Sequence, residues 1–134
     1  MTNNNNNLSW VALETTLRCN FSCIHCRSSS GENFTDTLPF DKAIQILDKI
    51  AEFTKPVVVL SGGEPLLRPD IFDLADYGTQ KGFRMCLATN VSLLDKDACQ
   101  SIKKSGIKLV SLSLDGADKE SHDSFRGYPG AFDH

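Results

Sequence analysis

Three cysteines, Cys19, Cys23 and Cys26, fall within the eight-residue stretch CNFSCIHC. The spacing C-x3-C-x2-C lets one loop wrap three thiolates around a single centre. A closed structural zinc site needs four ligands. His25 directly precedes Cys26 and is badly placed to join it on one tetrahedral ion. Three thiolates on a four-iron cluster leave one iron without a protein ligand, and an open position marks a reactive centre rather than a structural one. Spacing alone leaves zinc and an open cluster both standing, with the cluster ahead. The other two cysteines, Cys86 and Cys99, fall in a strand and a helix and read as core or near-surface residues. Five cysteines, three of them clustered, do not form a disulfide framework; in a reducing compartment such clustering points to metal.

Further polar groups recur at regular intervals. SGGEP (Ser61–Pro65) follows an apolar run, and two glycines there let a backbone approach a ligand closely. Its Glu64 adds a carboxylate; the plain alternative is a β-to-α turn. Thr89 and Asn90, and the segment Ser111–Gly116 with Ser113 and Asp115, supply hydroxyl, amide and carboxylate groups suited to a ribose or another polyol. Asp115 taken alone reads as a cap for the next helix. Arg126, in HDSFRG, reads either as a clamp for a carboxylate or phosphate or as part of a solvated turn.

These groups need elements to position them. WVALETT (Trp10–Thr16), PVVVL (Pro56–Leu60), FRMCLAT (Phe83–Thr89) and IKLVSLSLD (Ile107–Asp115) read as strands. The β-branched Pro56–Leu60 run is the pattern of a strand buried on both faces. Between them, FDKAIQILDKIAEF carries apolar residues at helical spacing with Pro39 before it. Pro69 opens a second helix that Gly82 ends, and DKDACQSIKKSG forms a third that stops at Gly106. A fourth helix is expected to begin only at the closing GAFDH. The order is about four βα units, the last incomplete: an α/β chain with a parallel sheet and right-handed crossovers. Every polar motif falls just after a strand, where parallel α/β folds place their sites.

Composition narrows the function. A net charge of -3 argues against a nucleic-acid surface. No apolar run approaches the roughly 20 residues of a membrane span. The start, MTNNNNNLSW, lacks the regions of a secretory signal, so a cytoplasmic location is expected. Residues 1–9 are expected to be a disordered Asn-rich leader.

Together, CNFSCIHC, GGEP, ATN and SLDGADKESHDSFRG, in that order, resemble the motifs of the radical S-adenosylmethionine (radical SAM) superfamily from about Trp10 onward. The resemblance implies a partial (β/α)6 TIM-like barrel, of which residues 10–134 would be the truncated N-terminal core. It implies that Cys19, Cys23 and Cys26 hold a 4Fe-4S cluster whose fourth iron is chelated by S-adenosylmethionine. Gly62, Gly63 and Glu64 would bind the methionyl amino end. Ser113, Asp115, Thr89, Asn90 and Arg126 would contact the ribose or the carboxylate, and His25 would lie near the adenine. One electron would then cleave the cosubstrate to a 5′-deoxyadenosyl radical that takes hydrogen from a substrate. The flanking sequence is most similar to the SPASM-type members, and among them to enzymes of the alternative haem route. These act on porphyrin side chains, as in the oxidative decarboxylation of Fe-coproporphyrin III. Peptide-modifying maturases share the same motifs, and a non-catalytic metal-binding fragment is the plainest alternative. A ferredoxin or flavodoxin would supply the electron. A six-unit barrel needs two more units after His134, so the chain is expected to be a fragment.

Overall fold

Four short apolar runs line up in chain order as one parallel sheet, β1-β2-β3-β4. The computed structural model describes residues 8–134. The strands are β1 (Trp10–Glu14), β2 (Val57–Ser61), β3 (Arg84–Thr89) and β4 (Leu109–Leu112). Helix α1 (Phe40–Ala51) follows β1, α2 (Ile71–Gln80) follows β2, α3 (Lys96–Lys104) follows β3, and α4 (Lys119–Arg126) follows β4. The register is even, with Ala12 opposite Val59, Val59 opposite Cys86 and Cys86 opposite Leu109.

One face of the sheet carries the core. Val58, Leu60, Met85 and Leu87 point at Ala43 and Leu47 of α1 and at Leu74 and Ala75 of α2, all fully buried. Each fully buried Leu contributes about 1.5–3 kcal/mol relative to exposure. Ala43 and Leu47 stand four apart, and Leu74 and Ala75 stand three and four after the buried Ile71, as an amphipathic helix on a sheet requires. Gly78 of α2 lets the helix sit directly on Met85, whose thioether occupies the space a side chain would need.

Several expectations change. The Pro56–Leu60 run is not buried on both faces: Val57 and Val59 are only half-buried, because they stand on the face of the sheet away from α1 and α2, which no described element covers. The fourth strand ends at Leu112, three residues before the expected limit. The fourth helix does not wait for GAFDH; it spans Lys119–Arg126, and a single 3-10 turn at Ala131–Asp133 follows. Its N-cap is Asp118, whose carboxylate accepts from the Ser121 N–H at 2.8 Å, so Asp115 is not the cap. Helix α2 begins after Asp70, one residue beyond Pro69. Residues 1–7 of the expected leader lie outside the described residues. Ser9, at its end, accepts the Val57 N–H at 3.0 Å and extends the β1–β2 ladder.

Candidate cofactor site at the strand ends

The first strand leads straight into the cysteine loop, and buried polar residues fix that exit. The Thr15 N–H continues the ladder to Ser61 O at 2.8 Å. Arg68, almost fully buried, donates to Thr15 O at 2.9 Å and to Leu38 O at 2.5 Å while paired with Asp70. Gly62 and Gly63 lie against the same exit: Gly63 N–H donates to Thr16 O at 2.7 Å and Glu64 N–H to Arg18 O at 2.9 Å. A Cβ on Gly62 would strike the Thr16 carbonyl oxygen, and one on Gly63 the Arg18 carbonyl. The close approach these glycines permit here is to the chain's own backbone, one residue ahead of Cys19.

Cys19, Cys23 and Cys26 all line one cavity of about 320 Å³. His25, Gly62, Gly63, Thr89, Asn90, Ser113 and Arg126 share its wall, so all four strand ends reach it. Glu64 and Asp115 are not on that wall. Each cysteine sulfur has a donor. Asn90 Nδ2 is 3.8 Å from Cys19 Sγ, Arg126 Nη1 is 3.4 Å from Cys23 Sγ, and Ser30 N–H is 3.3 Å from Cys26 Sγ. Burial pushes the Cys19 thiol up from its ordinary value, and the nearby Glu64 and Cys23 add to the rise. A positive partner such as a metal would favour the thiolate there.

Glu64 is buried inside the loop framework. Its Oε1 accepts from Leu66 N–H and from the Thr89 hydroxyl, each at 2.9 Å, and its Oε2 accepts from Asn90 N–H at 2.7 Å. Burial raises its pKa, against the lowering effect of those three donors. The carboxylate thereby clasps the β2 exit to the β3 exit. Beyond it, Asn90 closes a ring with residues that motif reading left unassigned. Asn90 Nδ2 donates to Asn20 Oδ1 at 2.9 Å, Asn20 Nδ2 to Ser92 Oγ at 2.8 Å, and Ser92 Oγ to Asn90 Oδ1 at 2.6 Å. The next residue, Val91, takes the left-handed region at φ 77°, a strained choice for a β-branched side chain.

The far wall belongs to α4. Phe125 O accepts from Ile24 N–H at 3.1 Å, and the Phe125 ring stacks on His25 with centroids 4.3 Å apart. Phe21 stacks on Tyr128 at 4.5 Å. Arg126 is buried rather than part of a solvated turn, and its Nη2 meets Asp115 Oδ2 at 2.6 Å. His122 Nδ1 accepts the Asp115 N–H at 3.1 Å and fixes that turn. Arg27, Ser28 and Ser30, also on the cavity wall, carried no motif signal beyond their place beside Cys26.

The donor set fits an iron–sulfur cluster. It sets three thiols on one cavity. Among the described residues, no three His, Cys, Asp or Glu side chains converge closely enough to hold a single metal ion. A cluster spreads its ligands further apart than one ion does. Two buried polar atoms without partners among the described residues, Ser30 Oγ and Arg126 Nε, both belong to wall residues.

Fold and site together define a parallel α/β domain with a thiol-lined cavity on its strand ends. The chain belongs to the Radical SAM superfamily, whose family model matches residues 13–133. An AdoMet-dependent heme synthase of Methanosarcina barkeri is 45% identical over 124 residues, 92% of this chain and 36% of that protein. An Fe-coproporphyrin III synthase of the same organism is 39% identical over 124 residues, 92% of this chain and 31% of that protein. This chain thus spans about a third of the length of the curated relatives it matches. Streptococcus suis SuiB, solved bound to precursor peptide SuiA, superposes with a TM-score of 0.74 at 21% identity, over 92% of this chain and 28% of that one. The same protein has been solved bound to S-adenosylmethionine. That likeness shows the shared fold. No described helix is long and apolar enough to cross a membrane.

Proposed function

We propose that this chain forms the cofactor-binding part of a radical SAM enzyme that acts on a porphyrin side chain. Cys19, Cys23 and Cys26 would hold a 4Fe-4S cluster, and S-adenosylmethionine would take the remaining iron. When bound, the two would supply a carbon-centred 5′-deoxyadenosyl radical able to take hydrogen from a substrate carbon. The chain's own work is placement. Gly62 and Gly63 would offer backbone carbonyls to the methionyl amino end, with Glu64 behind them tying the β2 exit to the β3 exit. Thr89, Asn90 and Ser113 offer hydroxyl and amide groups to the ribose and carboxylate. His25, held by its stack on Phe125, would lie near the adenine. Arg126, which lines the cavity and pairs with Asp115, would contact the ribose or the carboxylate.

The observation that carries this reading is that the three thiols and segments from all four strand ends face one cavity. The porphyrin substrate rests on the names of the two relatives above. Oxidative decarboxylation of Fe-coproporphyrin III, with a ferredoxin or flavodoxin as reductant, is the finer form of the proposal. A peptide substrate is the second reading, because a mycofactocin maturase of Mycobacterium ulcerans is 34% identical over 120 residues.

The test begins with anaerobic reconstitution using iron and sulfide. The dithionite-reduced chain is expected to show a cluster signal in electron paramagnetic resonance that S-adenosylmethionine shifts, and Cys23→Ala should abolish it. Zinc at one per chain without acid-labile sulfide would sink the proposal and leave a metal-binding fragment. In the full-length protein, 5′-deoxyadenosine formation stimulated by Fe-coproporphyrin III but not by a peptide supports the porphyrin reading.

A further inference from the structure

Arg126 sits where a charge has a specific effect. Its helix, α4, ends against the cysteine loop: Gly127 adopts the left-handed region at φ 61°, and a Cβ there would strike the Ser22 carbonyl. The Ile24 N–H to Phe125 O bond and the His25–Phe125 stack hold the two segments together. Arg126 is therefore fixed at its base and is only 7% exposed. Its head has three polar atoms to place. Nη1 points at Cys23 Sγ at 3.4 Å and Nη2 at Asp115 Oδ2 at 2.6 Å, and Nε is buried without a partner. A buried guanidinium with one carboxylate and one sulfur is a charge-assisted donor aimed at a metal ligand.

From this geometry we infer that Arg126 is a positioning residue that sets the reduction potential of the cluster through Cys23, with Asp115 as its moderating counter-charge. The inference rests on the proposed cluster. A hydrogen bond and a positive charge at a ligating sulfur stabilise the reduced, more negative state of an iron–sulfur centre. They raise the potential at which it accepts its one electron from an external reductant. Asp115 works in the other direction by neutralising part of that charge. Its place is fixed by the Asp115 N–H bond to His122 Nδ1 at 3.1 Å. His25 Nε2 lies 4.0 Å from the same carboxylate, the one other titratable side chain against it among the described residues. The pair thus behaves as a donor whose strength is preset by geometry.

The measurement is a redox titration of the reconstituted chain, followed by electron paramagnetic resonance, for wild type, Arg126→Met, Arg126→Lys and Asp115→Asn. Iron and acid-labile sulfide are measured in each. At a fixed applied potential, Arg126→Met is expected to lower the reduced-to-oxidised ratio about tenfold, or about 59 mV for one electron. Arg126→Lys keeps the charge and should recover most of that loss; Asp115→Asn should raise the ratio above wild type. If Arg126→Met loses iron, the lysine and asparagine variants carry the test. Ratios unchanged in all variants at wild-type iron and sulfide content overturn the inference and leave the cluster proposal intact. A wild-type chain that assembles no cluster overturns both.

Discussion

A carboxylate turned inward does different work from one turned outward, and Glu64 shows the difference. The motif GGEP reads as a ligand contact, because residue type and spacing carry no sign of side-chain direction. In the described structure both Glu64 oxygens are taken by Leu66, Thr89 and Asn90. Glutamine is the informative replacement. Its oxygen can serve Leu66 and Thr89, but its amide then faces the Asn90 N–H, donor against donor. Glu64→Gln is expected to destabilise the fold by about 1–3 kcal/mol at neutral pH, read from urea denaturation. The pH dependence has a definite sign. Burial raises the Glu64 pKa, so its stabilising contribution is fully present below the ordinary value and is lost as pH rises through the raised one. The wild-type advantage over Glu64→Gln should therefore narrow as pH rises from about 4.5. A widening gap would mean that the three donors outweigh burial. That the three cysteines would meet at one place was readable at this scale from C-x3-C-x2-C, and they line one cavity. The Asn20–Asn90–Ser92 ring was not, since it joins residues about seventy positions apart.

Elements were legible where apolar periodicity was dense and hidden where it was sparse. Helices α1 and α2 announce themselves through Ala43, Leu47, Leu74 and Ala75 at helical spacing. Helix α4 has Phe125 as its one large apolar residue and buries His122 and Arg126, which a hydrophobic pattern does not register. Its N-terminal signal was nonetheless present as Asp118 three residues before Ser121. The glycine pair was legible as a tight approach, but what it approaches required the fold. Gly63→Ala pushes a methyl group into the Arg18 carbonyl, directly before Cys19. The expected cost is about 1–3 kcal/mol, the usual range for overpacking. Thermal denaturation reads that loss, and iron content after reconstitution reads its effect on the cysteine loop. Full stability with full iron uptake would show that the β2 exit yields without disturbing the loop.

At the scale of the molecule, a parallel sheet followed from the alternation of strand and helix patterns, though not the order of its strands, and the shared strand-end cavity followed from parallel topology. The openness of one face did not follow, because a continuous run of valines looks the same in a closed barrel and on an open sheet. In the described sheet β4 is an edge strand, and Leu109, Leu112 and Leu114 stand exposed along and beyond it. Such an edge pairs readily with another chain. The chain by itself is expected to associate as concentration rises, and Leu112→Lys with Leu114→Lys should suppress this in light scattering. Unchanged scattering would place the contact elsewhere. The tie between Ile24 and Phe125 has a consequence in time as well as in space. The two residues are about a hundred positions apart in the chain. At translation rates of about 5–20 residues per second, the thiols leave the ribosome several seconds before the segment that will cover them. During those seconds a metal donor meets a bare loop, and later only a walled one. Under the proposed function, a centre loaded in that interval would meet the thiols before α4 walls them in.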